Sequence, residues 1–155
     1  MSHIHEKIDF TVSVFVVYKN KVLLHLHDKY KIWLPVGGHI ELEEDPNQAA
    51  LREVKEEAGI AVALWDGNKK FHYEGGQYKH KELIAPVALN RHHTSPEHEH
   101  VDLVYFAKAD TDKVIPEHSD GQWGWLGKED LDSVDLKDLP DVRFYAELAL
   151  ETLKE

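Results

Sequence analysis

The chain has no cysteine among its 155 residues, which excludes disulfides, thiolate metal sites and cysteine nucleophiles together. Long apolar runs are also missing. A spanning helix needs about 20 apolar residues, whereas the longest run here, Phe10 to Tyr18, is short and broken by Thr11 and Ser13. The segment before it, MSHIHEKID, mixes charges and carries no small-residue cleavage pattern, so no signal peptide is expected. Positive charge is scarce: 18 Lys and Arg stand against 29 Asp and Glu, a net charge of −11. Such a chain is poorly suited to gripping a nucleic-acid backbone or an anionic membrane by charge. It can still handle a polyphosphate if divalent metal supplies the positive charge. The length and the absence of repeats or linker-like tracts predict a single domain over residues 1–155, cytoplasmic, with a core that needs no staple.

What is present reads as short strands mixed with two helices. Phe10–Tyr18 is β-branched and aromatic, and Val22–His27 follows after a Lys-Asn-Lys turn, so the two form a hairpin. Pro35 and the pair Gly37-Gly38 punctuate the chain. A helix is predicted from Pro46 to Ala58: Asp45 at the N-cap, Pro46 at the first helical position, Gln48 completing a capping box and Gly59 ending it. Further strands are expected at Ile60–Trp65, Leu83–Asn90, Val101–Lys108 and Gln122–Leu126. A last helix is expected over Leu139–Leu153, with Val142, Leu148 and Ala149 on its apolar face. The implied fold class is α/β (α+β), a mixed β-sheet between helical layers.

The segment Gly38–Ile60, GHIELEEDPNQAALREVKEEAGI, holds seven carboxylates against two basic residues. On the predicted helix, Glu53, Glu56 and Glu57 fall at i, i+3 and i+4 and so share one face, where like charges repel. A divalent cation would neutralise them, and oxygen-only donors suit Mg²⁺ or Mn²⁺. Ala50, Leu51, Val54 and Ala58 form the stripe expected to seat the helix on a sheet. Arg52 lies four residues before Glu56 and can pair with it. Glu44 sits just before the cap, and Gly37 lets a main-chain carbonyl come close.

This segment resembles the Nudix box, G-x5-E-x7-R-E-U-x-E-E-x-G-U with U aliphatic. Gly38, Glu44, Arg52, Glu53, Val54, Glu56, Glu57, Gly59 and Ile60 all match. The resemblance implies a Nudix-type α/β/α sandwich and a pyrophosphohydrolase using Mg²⁺ (or Mn²⁺). It implies metal ligands at Glu53, Glu57, Glu56 and the Gly37 carbonyl, and catalytic roles for Glu53, Glu56, Glu57, Arg52 and Glu44, with Arg52 positioning Glu56. A metal-activated water would attack one phosphorus of a substrate carrying a nucleoside diphosphate linked to another group. Glu53 is the leading candidate for general base; in many relatives a carboxylate from a later loop takes that role, and here Glu97, Glu99, Glu117 and Asp120 compete for it. Gln122 stands where relatives often place an acid, three residues before Trp125, so the base stays open.

The substrate class follows by elimination. Tyr78 only approximates the tyrosine of diadenosine polyphosphate hydrolases, no proline lies near residue 75, and coenzyme A and NADH patterns are absent. A nucleoside triphosphate or modified nucleotide is the expected substrate, with a nucleotide sugar or dinucleoside polyphosphate as the alternative. An isopentenyl diphosphate isomerase would need a catalytic cysteine, which the chain lacks. A non-catalytic nucleotide-binding regulatory module on the same fold is a further alternative, although such modules typically lose box carboxylates and all are present here. The partner is a small nucleotide, with no nucleic-acid polymer and no membrane; the terminal helix leaves a homodimer open.

Outside the box, His25 and His27 alternate with Leu24 and Leu26 and should mark a cleft-facing or exposed strand face. Trp33 beside Pro35 is the expected stacking residue, whereas Trp125 reads as packing. Trp33, Gly38, His98 and Glu99 are the candidate substrate contacts. If the strand is already extended at His98, then His98, His100 and Asp102 share one face in a zinc-compatible pattern; a polar loop feeding the strand is the preferred reading.

Overall fold

The structure is a computed structural model that describes residues 3–67, 69–118, 121–136 and 138–155. Its main sheet is built on two long strands, β1 (Ile8–Tyr18) and, near the end of the sheet order, β9 (His98–Ala109), which run parallel from Ile8 opposite Glu99 to Val17 opposite Lys108. Each carries a central apolar run, Val14–Val17 in β1 and Leu103–Ala107 in β9, as expected where a strand is covered on two faces. β2 (Lys21–Leu26) turns back on β1, but their pairing ends after Val17–Val22. Beyond that point the strands splay. The gap is filled by β3 (Trp33–Leu34), which pairs with β2, and by β4 (Val36–His39), which pairs with β1. Pro35, with no N–H to donate, stands at the corner between them.

After helix α1 (Pro46–Ala58), β5 (Val62–Leu64) pairs with β9 at one edge. A small hairpin, β6 (Glu74–Gly75) and β7 (His80–Lys81), stands apart from the main sheet. β8 (Ala88–Ser95) lies antiparallel to β9, and β10 (Gln122–Leu126) closes the other edge against β2. Helix α2 (Pro140–Thr152) ends the fold.

Alternation along the strands sends side chains into two cores. Val12, Val14, Val16 and Tyr105 pack with Ala49, Ala50, Val54 and Ala58 of α1. Phe15, Val17, Val104 and Phe106 pack with Val142, Ala146, Ala149 and Leu150 of α2. A mixed sheet between two helices is therefore the architecture, as the resemblance implied.

Local differences from the sequence reading have physical causes. The strand expected at Leu83–Asn90 begins only at Ala88. Ile84 instead gives its N–H to Asn47 Oδ1 (2.8 Å) and its carbonyl accepts from Asn47 Nδ2 (2.9 Å), while Pro86 has no N–H for a ladder. β5 is shorter than the expected Ile60–Trp65, and β9 is longer than Val101–Lys108 because β1 and β8 pair along its first turns of pleat. In α1, Leu51 is exposed and Ala49 takes its place against the sheet; in α2, Leu148 is exposed and Ala146 and Leu150 are buried. Among the described residues, no helix is long and apolar enough to cross a membrane.

Candidate functional site

The ends of α1 are set by its sequence. Asp45 Oδ1 accepts the Gln48 N–H and Gln48 Oε1 accepts the Asp45 N–H, both at 2.9 Å, and Gly59 closes the helix at φ 69°. A side chain at Gly59 would also strike the Ile115 carbonyl, since a Cβ there would lie 2.5 Å from it. That contact reflects how the 110–118 segment docks. The Ile115 N–H donates to the Ala58 carbonyl (2.8 Å) and the Glu117 N–H to the Glu57 carbonyl (3.2 Å). The last carbonyls of the helix are thereby satisfied, and Glu117 is brought to the acidic cluster.

The carboxylates of α1 line a cleft of about 510 Å³ with Gly37, His25, His27, Lys29, Glu117 and Trp123 among its walls. Glu53 is buried under Gly38, so close that a Cβ at Gly38 would lie 2.3 Å from Glu53 Oε1. Glu57 Oε1 accepts the Gly37 N–H (3.3 Å), and Glu57 Oε2 lies 3.7 Å from His25 Nε2. Burial pushes the Glu57 carboxyl up to about 8, and the charge of Glu53 beside it adds to the rise. Glu53 is raised as well, by burial first, against the pull of Arg52. These are carboxylates held together at a cost that a divalent cation would relieve, and their oxygen donors fit a hard ion.

Arg52 frames the cluster differently from the expected pairing with Glu56. Its fork closes on Glu44, Nε to Oε2 at 2.9 Å and Nη2 to Oε1 at 2.6 Å. Nη1 then reaches Glu53 Oε1 (2.9 Å) and Glu56 Oε2 (3.1 Å), and Nη2 also donates to the His39 carbonyl (3.0 Å). Hydrogen bonding to Arg52 holds the Glu44 carboxyl below its ordinary value. Glu44 thus anchors the guanidinium, which spans Glu53 and Glu56.

A second cavity of about 640 Å³ shares His25, His27, Gly37 and Glu57 with the first and continues past Gly38, His39, His100 and Asp102 to α2. It occupies the place where β1 and β2 splay. Burial drives His100 down to about 4, with the nearby imidazoles of His39, His92 and His98 acting the same way. Burial raises Asp102, although the hydroxyls of Ser13 and Thr11 oppose it; Thr11 Oγ1 donates to Asp102 Oδ1 at 2.8 Å.

The structure gathers Glu44, Arg52, Glu53, Glu56, Glu57, Gly37 and Gly38 into one neighbourhood. Trp33, His98 and Glu99 line neither cavity: Trp33 packs against the α2-side core, His98 is buried beside Asp9, and Glu99 is bound by Arg91 at 2.6 and 2.8 Å. Of the other acids considered as base, Glu117 reaches the cleft, Glu97 sits on an exposed turn and Asp120 lies outside the described residues. The aromatic at the cleft is Trp123, stacked on His25 at 4.8 Å and 28°. Trp123 lies directly opposite His25 in the β2–β10 register, so the alternation that marked His25 carries over to it once the pairing is known. Trp125 packs against the α1-side core and donates its indole N–H to the Asp112 carbonyl.

Comparison with known proteins bears on the family and the fold. Residues 7–148 match the NUDIX domain. A NUDIX family hydrolase from Clostridium perfringens superposes with a TM-score of 0.82 at 39% identity, over 94% of this chain and 98% of that one. A C. elegans Ap4A hydrolase shares the fold, with a TM-score of 0.63 at 22% identity over 91% and 98% of the two chains. The m7GpppN-mRNA hydrolase NUDT17 of Xenopus laevis is 41% identical over 61 residues, 36% of this chain and 21% of that protein; the chain thus matches only about a fifth of that relative's length. With the box complete, its carboxylates convergent and the domain matched along nearly the whole chain, the protein belongs to the Nudix hydrolase family.

Proposed function

We propose that the protein is a divalent-metal-dependent pyrophosphohydrolase of a small nucleotide, a nucleoside triphosphate or modified nucleotide in preference to a nucleotide sugar or dinucleoside polyphosphate. The observation that carries this reading is the convergence of Glu53, Glu56, Glu57 and Gly37 on one cleft, with Glu57 pushed up to about 8 by burial and by Glu53. Glu53, Glu56, Glu57 and the Gly37 carbonyl would hold Mg²⁺ or Mn²⁺. The metal, when bound, supplies charge neutralisation for the phosphoryl oxygens and a lower pKa for bound water.

The chain's own residues account for the rest. Arg52, anchored by Glu44, fixes Glu53 and Glu56 in place. Lys29 at the cleft wall is a cation for a terminal phosphate, and the Trp123–His25 stack offers a flat face to a base. Water attacks phosphorus, the bridging P–O bond breaks, and the proton leaves to a carboxylate. Glu117 is assigned that role over Glu53, because Glu53 is already an acceptor for Arg52 while Glu117 lines the same cleft, close enough to Glu57 for its charge to act on that carboxyl. The test is incubation with nucleoside triphosphates, modified nucleotides, nucleotide sugars and dinucleoside polyphosphates, with products identified. Monophosphate and pyrophosphate from a triphosphate support the reading; turnover confined to another class overturns the substrate assignment, and no turnover of any class overturns the enzyme.

A further inference from the structure

Three histidines outside the box, His3, His98 and His100, gather around Asp9 at the start of β1. Parallel pairing sets Asp9 opposite His100, with His98 two residues earlier on the same face. The N-terminal segment curls over this point, because Asp9 Oδ1 accepts the His5 N–H (2.7 Å) and Asp9 Oδ2 the Ile4 N–H (3.2 Å). His3 is thereby brought to Asp9 Oδ2 at 3.1 Å. One donor atom from each of His3, Asp9, His98 and His100 lies within 4.8 Å of every other.

The state of His98 is the second observation. Its Nδ1 bonds the Glu6 carbonyl at 2.9 Å, and a carbonyl only accepts, so Nδ1 carries the hydrogen. In the neutral ring Nε2 then presents a lone pair. That atom is buried, has no hydrogen-bond partner among the described residues, and faces Asp9 Oδ2 at 3.3 Å. Asp9 is 1% exposed and His98 5%. His100 Nε2 is likewise buried without a partner. Two electron-rich atoms turned toward each other out of water, with a second unsatisfied imidazole beside them, are destabilising unless a cation lies between. A histidine whose other nitrogen is fixed by a backbone carbonyl is the usual arrangement of a metal ligand.

We propose that His3, Asp9, His98 and His100 form a Zn²⁺ site separate from the box carboxylates. Three imidazoles and one carboxylate complete a tetrahedral zinc shell, and nitrogen donors disfavour Mg²⁺. His39, whose Nε2 lies 3.1 Å from the same Asp9 Oδ2, helps to hold that carboxylate in place. A shell closed by four protein ligands is structural: it ties the N-terminal segment to the start of β9 and fixes His39 and His100, which form one wall of the second cavity.

The test uses chelator-treated full-length protein, with excess Mg²⁺ present to fill the box, titrated with Zn²⁺ against a chromophoric chelator. Wild type and Glu57→Gln should each hold one Zn²⁺ of this class per chain, and Co²⁺ in its place should give the intense visible absorption of a tetrahedral ion. His100→Gln should weaken Zn²⁺ by about 100-fold and abolish that absorption, and His3→Ala should weaken it by at least about 10-fold. His3 is exposed and belongs to no core, so that variant keeps the test valid if His100→Gln misfolds. Zn²⁺ affinity unchanged in His3→Ala, Zn²⁺ binding lost only with Glu57→Gln, or no binding by the wild type, with a proton alone joining Asp9 to His98, would each overturn the site.

Discussion

Gly38 and Glu53 are matched so closely that any side chain at position 38 would occupy the space of the Glu53 carboxylate, a Cβ there lying 2.3 Å from Oε1. In β4, Gly38 pairs with Val12 and so faces α1. The glycine is required here for what lies opposite it. Gly38→Ala should push Glu53 away from Arg52 and out of the acidic cluster. An activity loss of at least ~10-fold is expected with far-ultraviolet circular dichroism unchanged, since displacements near 1 Å at such sites cost that much or more. Unaltered kcat/KM would show that Glu53 has room to spare.

Arg52→Lys keeps the charge and removes the fork. Because Nε and Nη2 together hold Glu44 while Nη1 spans Glu53 and Glu56, the single ammonium of lysine cannot reproduce the fork and reach all three carboxylates. We expect a loss of about 1–3 kcal/mol by chemical denaturation, on the scale of charge-assisted bonds at a largely shielded site, and a fall in kcat. Equal stability of the two proteins would mean that Glu44 is not anchored through the guanidinium.

The raised Glu57 carboxyl makes stability depend on pH. Its ordinary value is 4.5 and its folded value about 8, so between those limits the folded chain holds a proton that the unfolded chain has released. Stability is therefore lost as pH rises through this window. The imidazoles of buried His39 and half-buried His25 and His100 have lowered values and act in the opposite direction, but only below about 6.5. Between pH 7 and 8 the carboxyl dominates. Tm of metal-free wild type should fall over that range, Glu57→Gln should be flatter, and Mg²⁺ should raise the wild-type Tm more at pH 8 than at pH 6. A Tm that climbs from pH 7 to 8 would contradict the assignment.

Glu117→Gln should lower kcat by ~10²-fold, within the usual contribution of a general base, with KM little changed. Its backbone bond to the Glu57 carbonyl is independent of the side chain, so the segment should remain docked. If the variant turns over normally, the proton goes to Glu53.

Much of the site was legible in the sequence because it is local. A capped helix with Glu53, Glu56 and Glu57 at helical spacing needs only the α-helix period to bring the three together. What depends on pairing between distant segments was not legible. Glu117 arrives through hydrogen bonds to the end of α1, and Trp123 through its register with His25. Arg52 prefers Glu44, eight residues back in an irregular segment, over the helical neighbour Glu56. Asp9 joins His98 and His100 because β1 and β9 are parallel; spacing along the chain had offered Asp102, which the structure gives to Thr11. Asn47 shows the same limit for the fold, its side chain diverting Ile84 from the strand that hydropathy suggested.

Glu57→Gln tests most directly the proposal that the box carboxylates hold a catalytic divalent metal. The variant should fold at least as well as wild type, because glutamine replaces a carboxyl that burial already keeps from ionising easily. Measured with a nucleoside triphosphate under excess Mg²⁺ or Mn²⁺, kcat should drop by ~10²-fold or more, and chelator should silence the wild type. Wild-type turnover by Glu57→Gln, or turnover that persists in chelator, would contradict the account.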